Sequence, residues 1–184
     1  MNKIFIHKIK EFDLNIYPDY LFEKANSYQG LRRKQSLYAY KLLFDIFKTY
    51  FNYELKEDDL KEYHKNIKKH YYSISHSGEY VMVTISNLTV GCDMESIKNL
   101  NSKKMTLSKL FNDNDVLIMG KKWCYLESLY KLTQSGTMRS NHISKDINLN
   151  ELTKIINLDN EVYIIAVVTK NNESIYIFDY EISD

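Results

Sequence analysis

The sequence predicts an α+β fold, in which strands and helices form groups instead of alternating one by one. Two hydrophobic patterns support this class: short β-rich runs with a period of two, and longer segments whose apolar residues recur every three or four positions. The chain has 184 residues, 44% of them hydrophobic, with one proline and no low-complexity linker, so it can bury a sizeable core. The order of the predicted elements in the two halves is loosely similar.

The first half is predicted to contain one strand and three helical segments. Alternating side chains predict a strand over 3–10, and a short helix is expected over 19–26. Residues 54–69 are polar and lysine-rich, which indicates a short helix and a loop. The strongest helix is predicted over 31–51, where apolar residues follow one face: Leu37, Tyr40, Phe44, Phe47 and Phe51.

The middle of the chain, residues 71–95, is predicted to form two strands. A polar segment, 73–78, precedes a β-rich run, and a second short apolar run ends in two acids, Asp93 and Glu95. Because alternate residues of a strand point to one face, these two carboxylates are expected side by side. They repel each other unless a cation lies between them, and Mg²⁺ prefers such oxygen ligands. The alternative is a solvated strand end that carries two acids.

The second half is predicted to contain two helices followed by two strands. The helices are expected over 100–111 and 116–133, separated by a turn rich in Asn and Asp. The strands are expected over 161–169 and 174–182, joined as a hairpin through a Lys-Asn-Asn turn. Residues 136–147 have the composition of a loop.

The second of these helices carries a candidate site. Glu127 and Lys131 lie one turn apart, so they share a helix face, and Trp123 precedes them by one turn. An exposed ion pair, which contributes only a few tenths of a kcal/mol, is the alternative interpretation.

The composition disfavours several classes of protein. The net charge is +1, so no global field favours nucleic acid. The 16 tyrosines are scattered, which makes stacking platforms for single-stranded nucleic acid a less favoured alternative. Cys92 and Cys124 have neither metal-type nor redox-type spacing. No signal peptide or membrane-spanning run is found, so we expect a cytoplasmic protein without a membrane partner.

Three segments, in order, resemble the motifs of 4′-phosphopantetheinyl transferases of the surfactin-synthetase-activating (Sfp-type) class. They are Ser73-Ile74-Ser75-His76-Ser77, Gly91-Cys92-Asp93-Met94-Glu95 and Trp123-Cys124-Tyr125-Leu126-Glu127-Ser128-Leu129-Tyr130-Lys131. Upstream, Arg33-Lys34-Gln35-Ser36-Leu37 resembles the family's basic helix start, and Tyr63-His64-Lys65-Asn66 resembles its Tyr-Gly-Lys-Pro segment. The resemblance covers residues 20–135.

The sequence departs from the family at several positions. Leu126 stands where the family usually has a phosphate-contacting lysine, and Ser73 stands where it has asparagine. The segment after Lys131 is less rich in glycine than the family's. The chain is also short for this class, and the half-length trimeric holo-acyl-carrier-protein synthase type, which lacks the tryptophan motif, is the neighbouring alternative.

The resemblance implies an enzyme that transfers 4′-phosphopantetheine from coenzyme A to a serine of an acyl or peptidyl carrier protein and releases 3′,5′-ADP. It implies Mg²⁺, with Mn²⁺ as the alternative, held by Asp93, Glu95 and Glu127. Asp93, Glu127 and Lys131 are the implied catalytic residues. Lys131 is expected at the α-phosphate, and Glu127 is the expected proton acceptor, with water as the alternative. The alternative function is a non-catalytic paralogue that binds coenzyme A or carrier proteins.

The resemblance also implies residues that bind the rest of coenzyme A. Ser75 and His76 are expected at its 3′-phosphate. Lys131 is also expected to bind coenzyme A. Further contacts to its nucleotide are expected from Lys24, Arg33, Ser36 and Lys65.

The implied fold consists of two similar α/β halves in a pseudo-twofold arrangement, with coenzyme A in the cleft between them. Residues 1–88 would form the nucleotide side, and residues 89–184 the side with the metal, the catalytic residues and the carrier docking surface. A monomer without nucleic acid is expected. An acidic helical carrier is expected to dock on a basic and apolar cluster: Ile97, Lys98, Leu100, Lys103, Lys104 and Met105.

Overall fold

The computed structural model of the protein describes residues 3–61, 66–133, 149–170 and 179–183, the last of these for the backbone only. It combines helices with two β-sheets, which confirms the predicted α+β class. Within these residues, no helix is both long and apolar enough to span a membrane.

The strands of the described residues are β1 (Lys3–Lys8), β2 (Tyr71–Ser77), β3 (Tyr80–Ser86), β4 (Val90–Ser96), β5 (Leu149–Leu158), β6 (Glu161–Lys170) and β7 (Asp179–Ser183). The α-helices are α1 (Gly30–Phe51), α2 (Glu57–Lys61), α3 (Ile97–Ser102), α4 (Lys104–Phe111) and α5 (Val116–Thr133). Two 3-10 helices cover Leu14–Ile16 and Asp19–Ser27.

The two sheets repeat one strand arrangement. Their strand orders are β2-β3-β1-β7 and β4-β6-β5. In each sheet a first strand leads into helices and then into a hairpin, and the second strand of that hairpin lies in the middle. The pairs β1-β3, β2-β3, β4-β6 and β5-β6 are all antiparallel. The similar order of elements in the two halves of the sequence thus corresponds to a repeated topology.

Four layers are stacked in the order α1, first sheet, second sheet, α5. Phe5 of β1 points towards α1 and packs in a core with Phe47. Ile6 points the opposite way and packs with Met94 between the two sheets. Ile164, on the outer face of β6, packs against helices α3 and α5. Burial of these apolar faces is the main stabilising contribution to such a layered fold.

The middle of the chain forms three strands instead of the predicted two. The polar segment belongs to β2, which pairs with β3 through the two-residue turn Gly78-Glu79. Gly78 has a φ of +56°, as a type II′ turn requires at its first central position. The strand was not expected there because three of its alternate residues are serines, and these form hydrogen bonds to β4 instead of packing in an apolar core.

The predicted hairpin between the last two strands is wrong. β6 pairs with β5, which the sequence analysis does not predict because this edge strand leaves much of its length exposed. The turn between them is Asp159-Asn160, whose φ values of 46° and 62° suit a type I′ turn. β7 pairs in parallel with β1 and so joins the first sheet. The predicted turn at 170–172 and the predicted loop at 136–147 lie wholly or partly outside the described residues.

The helix predicted over 100–111 is interrupted. It starts three residues earlier, where Ser96 Oγ accepts a hydrogen bond from the backbone N–H of Asn99 over 3.1 Å. Helix α3 ends before Lys103, whose φ of −100° and ψ of 3° are not helical, and α4 follows it directly. Leu100 is fully buried, so its predicted contact with a carrier protein is wrong. The proposed division between residues 88 and 89 lies in the connection between β3 and β4.

Candidate functional site

A polar cavity of about 490 Å³ lies where α1, β2, β4 and α5 meet. The side chains that line it include three carboxylates, four Lys or Arg residues and one histidine: Asp93, Glu95, Glu127, Lys24, Arg32, Lys103, Lys131 and His76. Tyr28, Ser36, Tyr40, Tyr72, Ile74, Ser75, Met94 and Trp123 form further parts of its wall.

A row of three serines joins the two sheets beside this cavity. Their hydroxyl oxygens accept hydrogen bonds from backbone N–H groups of β4: Ser73 from Cys92 over 3.0 Å, Ser75 from Met94 over 3.1 Å, and Ser77 from Ser96 over 3.0 Å. Each hydroxyl thus replaces the carbonyl that a neighbouring strand would offer. The three serines are buried, at 0%, 5% and 2% exposure.

Two of these serines also position the carboxylates of β4. Ser75 Oγ donates a hydrogen bond to Asp93 Oδ1 over 2.9 Å, and Ser77 Oγ donates one to Glu95 Oε2 over 2.6 Å. Asp93 and Glu95 are each only 7% exposed, so these donors offset part of the cost of burying charge. The predicted side-by-side arrangement of the two acids on one strand therefore has a structural basis in β2.

Gly91 allows α5 to lie directly on β4. A Cβ atom at this position would be 1.9 Å from the carbonyl oxygen of Ser128 and 2.7 Å from the backbone nitrogen of Leu132. Only glycine permits so close an approach between helix and strand backbones. The approach brings Glu127 and Lys131 of α5 into the cavity beside the acids of β4.

Two lysines neutralise the carboxylates of β4. Lys131 Nζ donates hydrogen bonds to Asp93 Oδ1 and to the carbonyl oxygen of Cys92, both over 2.9 Å. Lys103 Nζ lies 2.5 Å from Glu95 Oε1. The side chain of Lys131 is 21% exposed, whereas that of Lys103 is 46% exposed. Lys131 is therefore enclosed by the site, and Lys103 reaches it from the rim.

The charges of both acids of β4 act on the carboxyl group of Glu127. Burial and the negative charge of Asp93 raise the pKa of the Glu127 carboxyl group, and Glu95 adds to this increase. Lys131 and Lys103 act in the opposite direction. A carboxyl group with a raised pKa beside charged partners is a candidate acid or base.

The three carboxylates match a hard divalent cation in chemistry. All three line one cavity and supply oxygen ligands, and burial together with the charges of Asp93 and Glu95 raises the pKa of Glu127. Among the described residues, however, no three His, Cys, Asp or Glu side chains are grouped closely enough to hold a metal ion. Lys131 contacts Asp93 and Lys103 contacts Glu95, so two of the three implied metal ligands are already in ion pairs. A cation held by all three carboxylates would have to compete with these ion pairs.

His76 of β2 also lines the cavity. Burial, together with the positive charges of Arg32 and Lys131, lowers the pKa of His76 to about 4. The imidazole is therefore neutral at pH 7, and an anion placed between it and Arg32 would raise its pKa. Arg32 also lies with its guanidinium carbon 5.1 Å from the ring centroid of Tyr28.

The other residues expected at coenzyme A fall into three groups. Lys24 and Ser36 line the cavity, and Lys24 Nζ donates a hydrogen bond to the carbonyl oxygen of Leu60 over 2.7 Å. Burial lowers the pKa of Lys24. Arg33 is exposed and does not contribute to the lining, whereas its neighbour Arg32 does. Lys65 lies outside the described residues.

Two cationic residues of the cavity, Arg32 and Lys103, were not among the site residues expected from the sequence. Arg32 lies one helical turn before Ser36, so helical spacing from that residue would have selected Arg32 instead of Arg33. Lys103 was assigned to a docking surface, because nothing in its sequence neighbourhood predicts the break between α3 and α4. The role of Ser77 could have been predicted from its spacing, because Ser73, Ser75 and Ser77 occupy alternate positions of one strand and so share a face.

Comparison with known protein families and with curated proteins found no match to this chain.

Proposed function

We propose that this protein transfers 4′-phosphopantetheine from coenzyme A to a serine of a carrier protein. The observation that supports this most strongly is the meeting of three distant sequence segments at one cavity. His76 comes from β2, Asp93 and Glu95 come from β4, and Glu127 and Lys131 come from α5. The resemblance expects these residues to act together. The repeated strand arrangement also agrees with the two similar halves, pseudo-twofold arrangement and cleft of that family.

The charges of the cavity suit a ligand with two separate anionic groups. His76 and Arg32 would bind the 3′-phosphate, and Lys131 would bind the pyrophosphate. Lys24 and Ser36 remain candidates for contacts with the nucleotide. Ser75 receives a different role from the one expected, because its hydroxyl is already used by Asp93 and by the N–H of Met94. We therefore treat Ser75 as a positioning residue.

The chemistry of transfer requires a nucleophile, a leaving group and neutralisation of charge. The serine hydroxyl of the carrier attacks the phosphorus atom attached to pantetheine, the bond within the pyrophosphate breaks, and 3′,5′-ADP leaves. Glu127 would accept the proton of the hydroxyl, provided it is ionised, and Lys131 would stabilise the charge that develops on the leaving phosphate. Mg²⁺ held by Asp93, Glu95 and Glu127 would orient and neutralise the pyrophosphate.

Carrier docking is proposed on the exposed surface formed by α3 and α4. Lys98, Lys104 and Met105 are exposed there, Met105 by 73%, and Ile97 is partly buried. An acidic helix would meet positive charge and an apolar contact on this surface. Lys103 also lies at its edge, but its ammonium group points to Glu95.

The proposed function is tested by incubating the protein with apo carrier proteins, coenzyme A and Mg²⁺. Intact-mass measurement should show the addition of one phosphopantetheine group to a carrier, and a chelator should prevent it. The intact Asp93, Glu95, Glu127 and Lys131 favour transfer, whereas Leu126 and the altered segment after Lys131 favour the non-catalytic alternative. Tight binding of coenzyme A without modification of any carrier in a broad panel would support that alternative and refute transfer.

A further inference from the structure

Lys103 reaches the cavity from the break between two helices. It occupies the short break between α3 and α4, and its ammonium group makes two contacts with the site. One is the ion pair with Glu95 Oε1 over 2.5 Å, and the other is a cation-π contact 5.6 Å from the ring centroid of Trp123. With its side chain 46% exposed, Lys103 has room to move that the enclosed Lys131 lacks.

Glu95 keeps hydrogen-bond partners if Lys103 turns away. Ser77 Oγ donates to Glu95 Oε2 over 2.6 Å, and Asn99 Nδ2 approaches the same oxygen at 3.5 Å. An ion pair that involves a half-exposed lysine is weak, so a stronger anion can compete for the ammonium group. Lysine suits such an exchange, because it carries a compact charge on a flexible stem.

We propose that Lys103 is a phosphate-binding residue, which exchanges its ion pair with Glu95 for the diphosphate group of a ligand that enters the cavity. The release of Glu95 by Lys103 frees that carboxylate for a divalent cation, so cation and diphosphate bind together better than either does alone. The identity of the ligand as coenzyme A rests on the proposed function. Lys103 would then supply the charge that the resemblance expects at position 126, where this chain has Leu126.

The direct test measures the binding of inorganic pyrophosphate and of coenzyme A by calorimetry, in each case with Mg²⁺. Lys103→Met keeps the stem and removes the charge. It should lower the affinity for both ligands at least about tenfold, which is the effect of losing one charge-assisted hydrogen bond. Lys103→Arg keeps the charge and should recover most of the affinity. The matched control is Lys109→Met on α4, an exposed residue outside the cavity lining, which should bind both ligands as the unchanged protein does.

Trp123 provides an independent readout, because it is the only tryptophan of the chain. Pyrophosphate with Mg²⁺ should change its fluorescence in the unchanged protein as the ammonium group leaves the ring. The change should be smaller in Lys103→Met and normal in Lys109→Met.

The outcomes separate this inference from the proposed function. Equal affinities in Lys103→Met and the unchanged protein would overturn the role of Lys103 and leave transfer intact. Lys103-dependent binding of pyrophosphate without binding of coenzyme A would support the role of Lys103 and refute the proposed function. If the unchanged protein binds neither ligand, both are overturned.

Discussion

Ser75 Oγ donates a hydrogen bond to Asp93 Oδ1 over 2.9 Å and accepts one from the backbone N–H of Met94 over 3.1 Å. One hydroxyl group therefore joins β2 to β4 and fixes a carboxylate of the site. The bonds that hold the two sheets together therefore also orient an acid of the cavity.

Replacement of Ser75 by alanine should lower the free energy of unfolding by about 1–3 kcal/mol. The loss arises because the N–H of Met94 and one oxygen of Asp93 each lose a buried partner. Urea unfolding followed by circular dichroism measures this change. Ser108→Ala is the control, since its hydroxyl bonds only at the surface of α4, and it should change stability by less than about 0.5 kcal/mol. Similar stability of both variants would show that the serine row contributes little.

The long helices and the order of the site motifs could be predicted from the sequence. Apolar residues at helical spacing run through most of α1 and α5, and local patterns of this length are hard to imitate by chance. The motif residues at His76, Asp93 and Glu127 were identified with their order along the chain, and they line one cavity.

Features that depend on distant parts of the chain could not be predicted. The serines of β2 find their partners on β4, 19 residues further along. β7 pairs with β1 across almost the whole chain length. Gly91 is glycine because the backbone of α5 lies against it, a contact that no local pattern reveals.

The pKa of His76 makes stability dependent on pH. Its folded-state value of about 4 lies below the ordinary 6.5, so between these values the unfolded chain binds the proton more readily. The contribution is complete above pH 6.5 and is lost as the pH falls towards 4, by up to about 3 kcal/mol. As the pH falls from 6.5 to 4, the unfolding free energy of the unchanged protein should therefore decrease relative to that of His76→Gln.

Nuclear magnetic resonance of the His76 ring provides the matching site-specific measurement. The ring should titrate near pH 4 in the free protein, and addition of 3′,5′-ADP should raise its pKa because the bound phosphate favours the imidazolium. A pKa of about 6.5 that does not respond to 3′,5′-ADP would contradict both the burial of this histidine and its place at the phosphate.

Replacements of Asp93 and Lys131 should have non-additive effects on stability, and each replacement should abolish transfer. Their side chains are 10% and 21% exposed, so removal of one partner leaves the other charge poorly solvated. Asp93→Asn and Lys131→Met should each lower the free energy of unfolding by at most about 3–5 kcal/mol. The double variant should lower it by at least about 1 kcal/mol less than the sum of the two single effects. All three variants should lose transfer. Additive costs would argue against a significant ion pair, and transfer by Asp93→Asn would remove Asp93 from the site.

The docking surface can be tested by charge reversal that spares the cavity. Lys98→Glu combined with Lys104→Glu should raise KM for an acidic carrier, most strongly at low salt, and leave KM for coenzyme A nearly unchanged. The control reverses two exposed lysines of α1, Lys34 and Lys48, which changes the net charge equally on the opposite outer layer. Equal effects of both pairs would indicate a general charge effect and would reject this docking site.

We propose that Asp93, Glu127 and Lys131 form a site that cleaves coenzyme A into 3′,5′-ADP and the phosphopantetheine group attached to the carrier. The most direct measurement follows both products at once, with 3′,5′-ADP quantified by chromatography and the carrier by intact mass. We predict that they form in equal amounts, and that Glu127→Gln slows both by at least about a hundredfold. Release of 3′,5′-ADP without carrier modification, or no consumption of coenzyme A with any apo carrier in the panel, would show that these residues do not catalyse transfer.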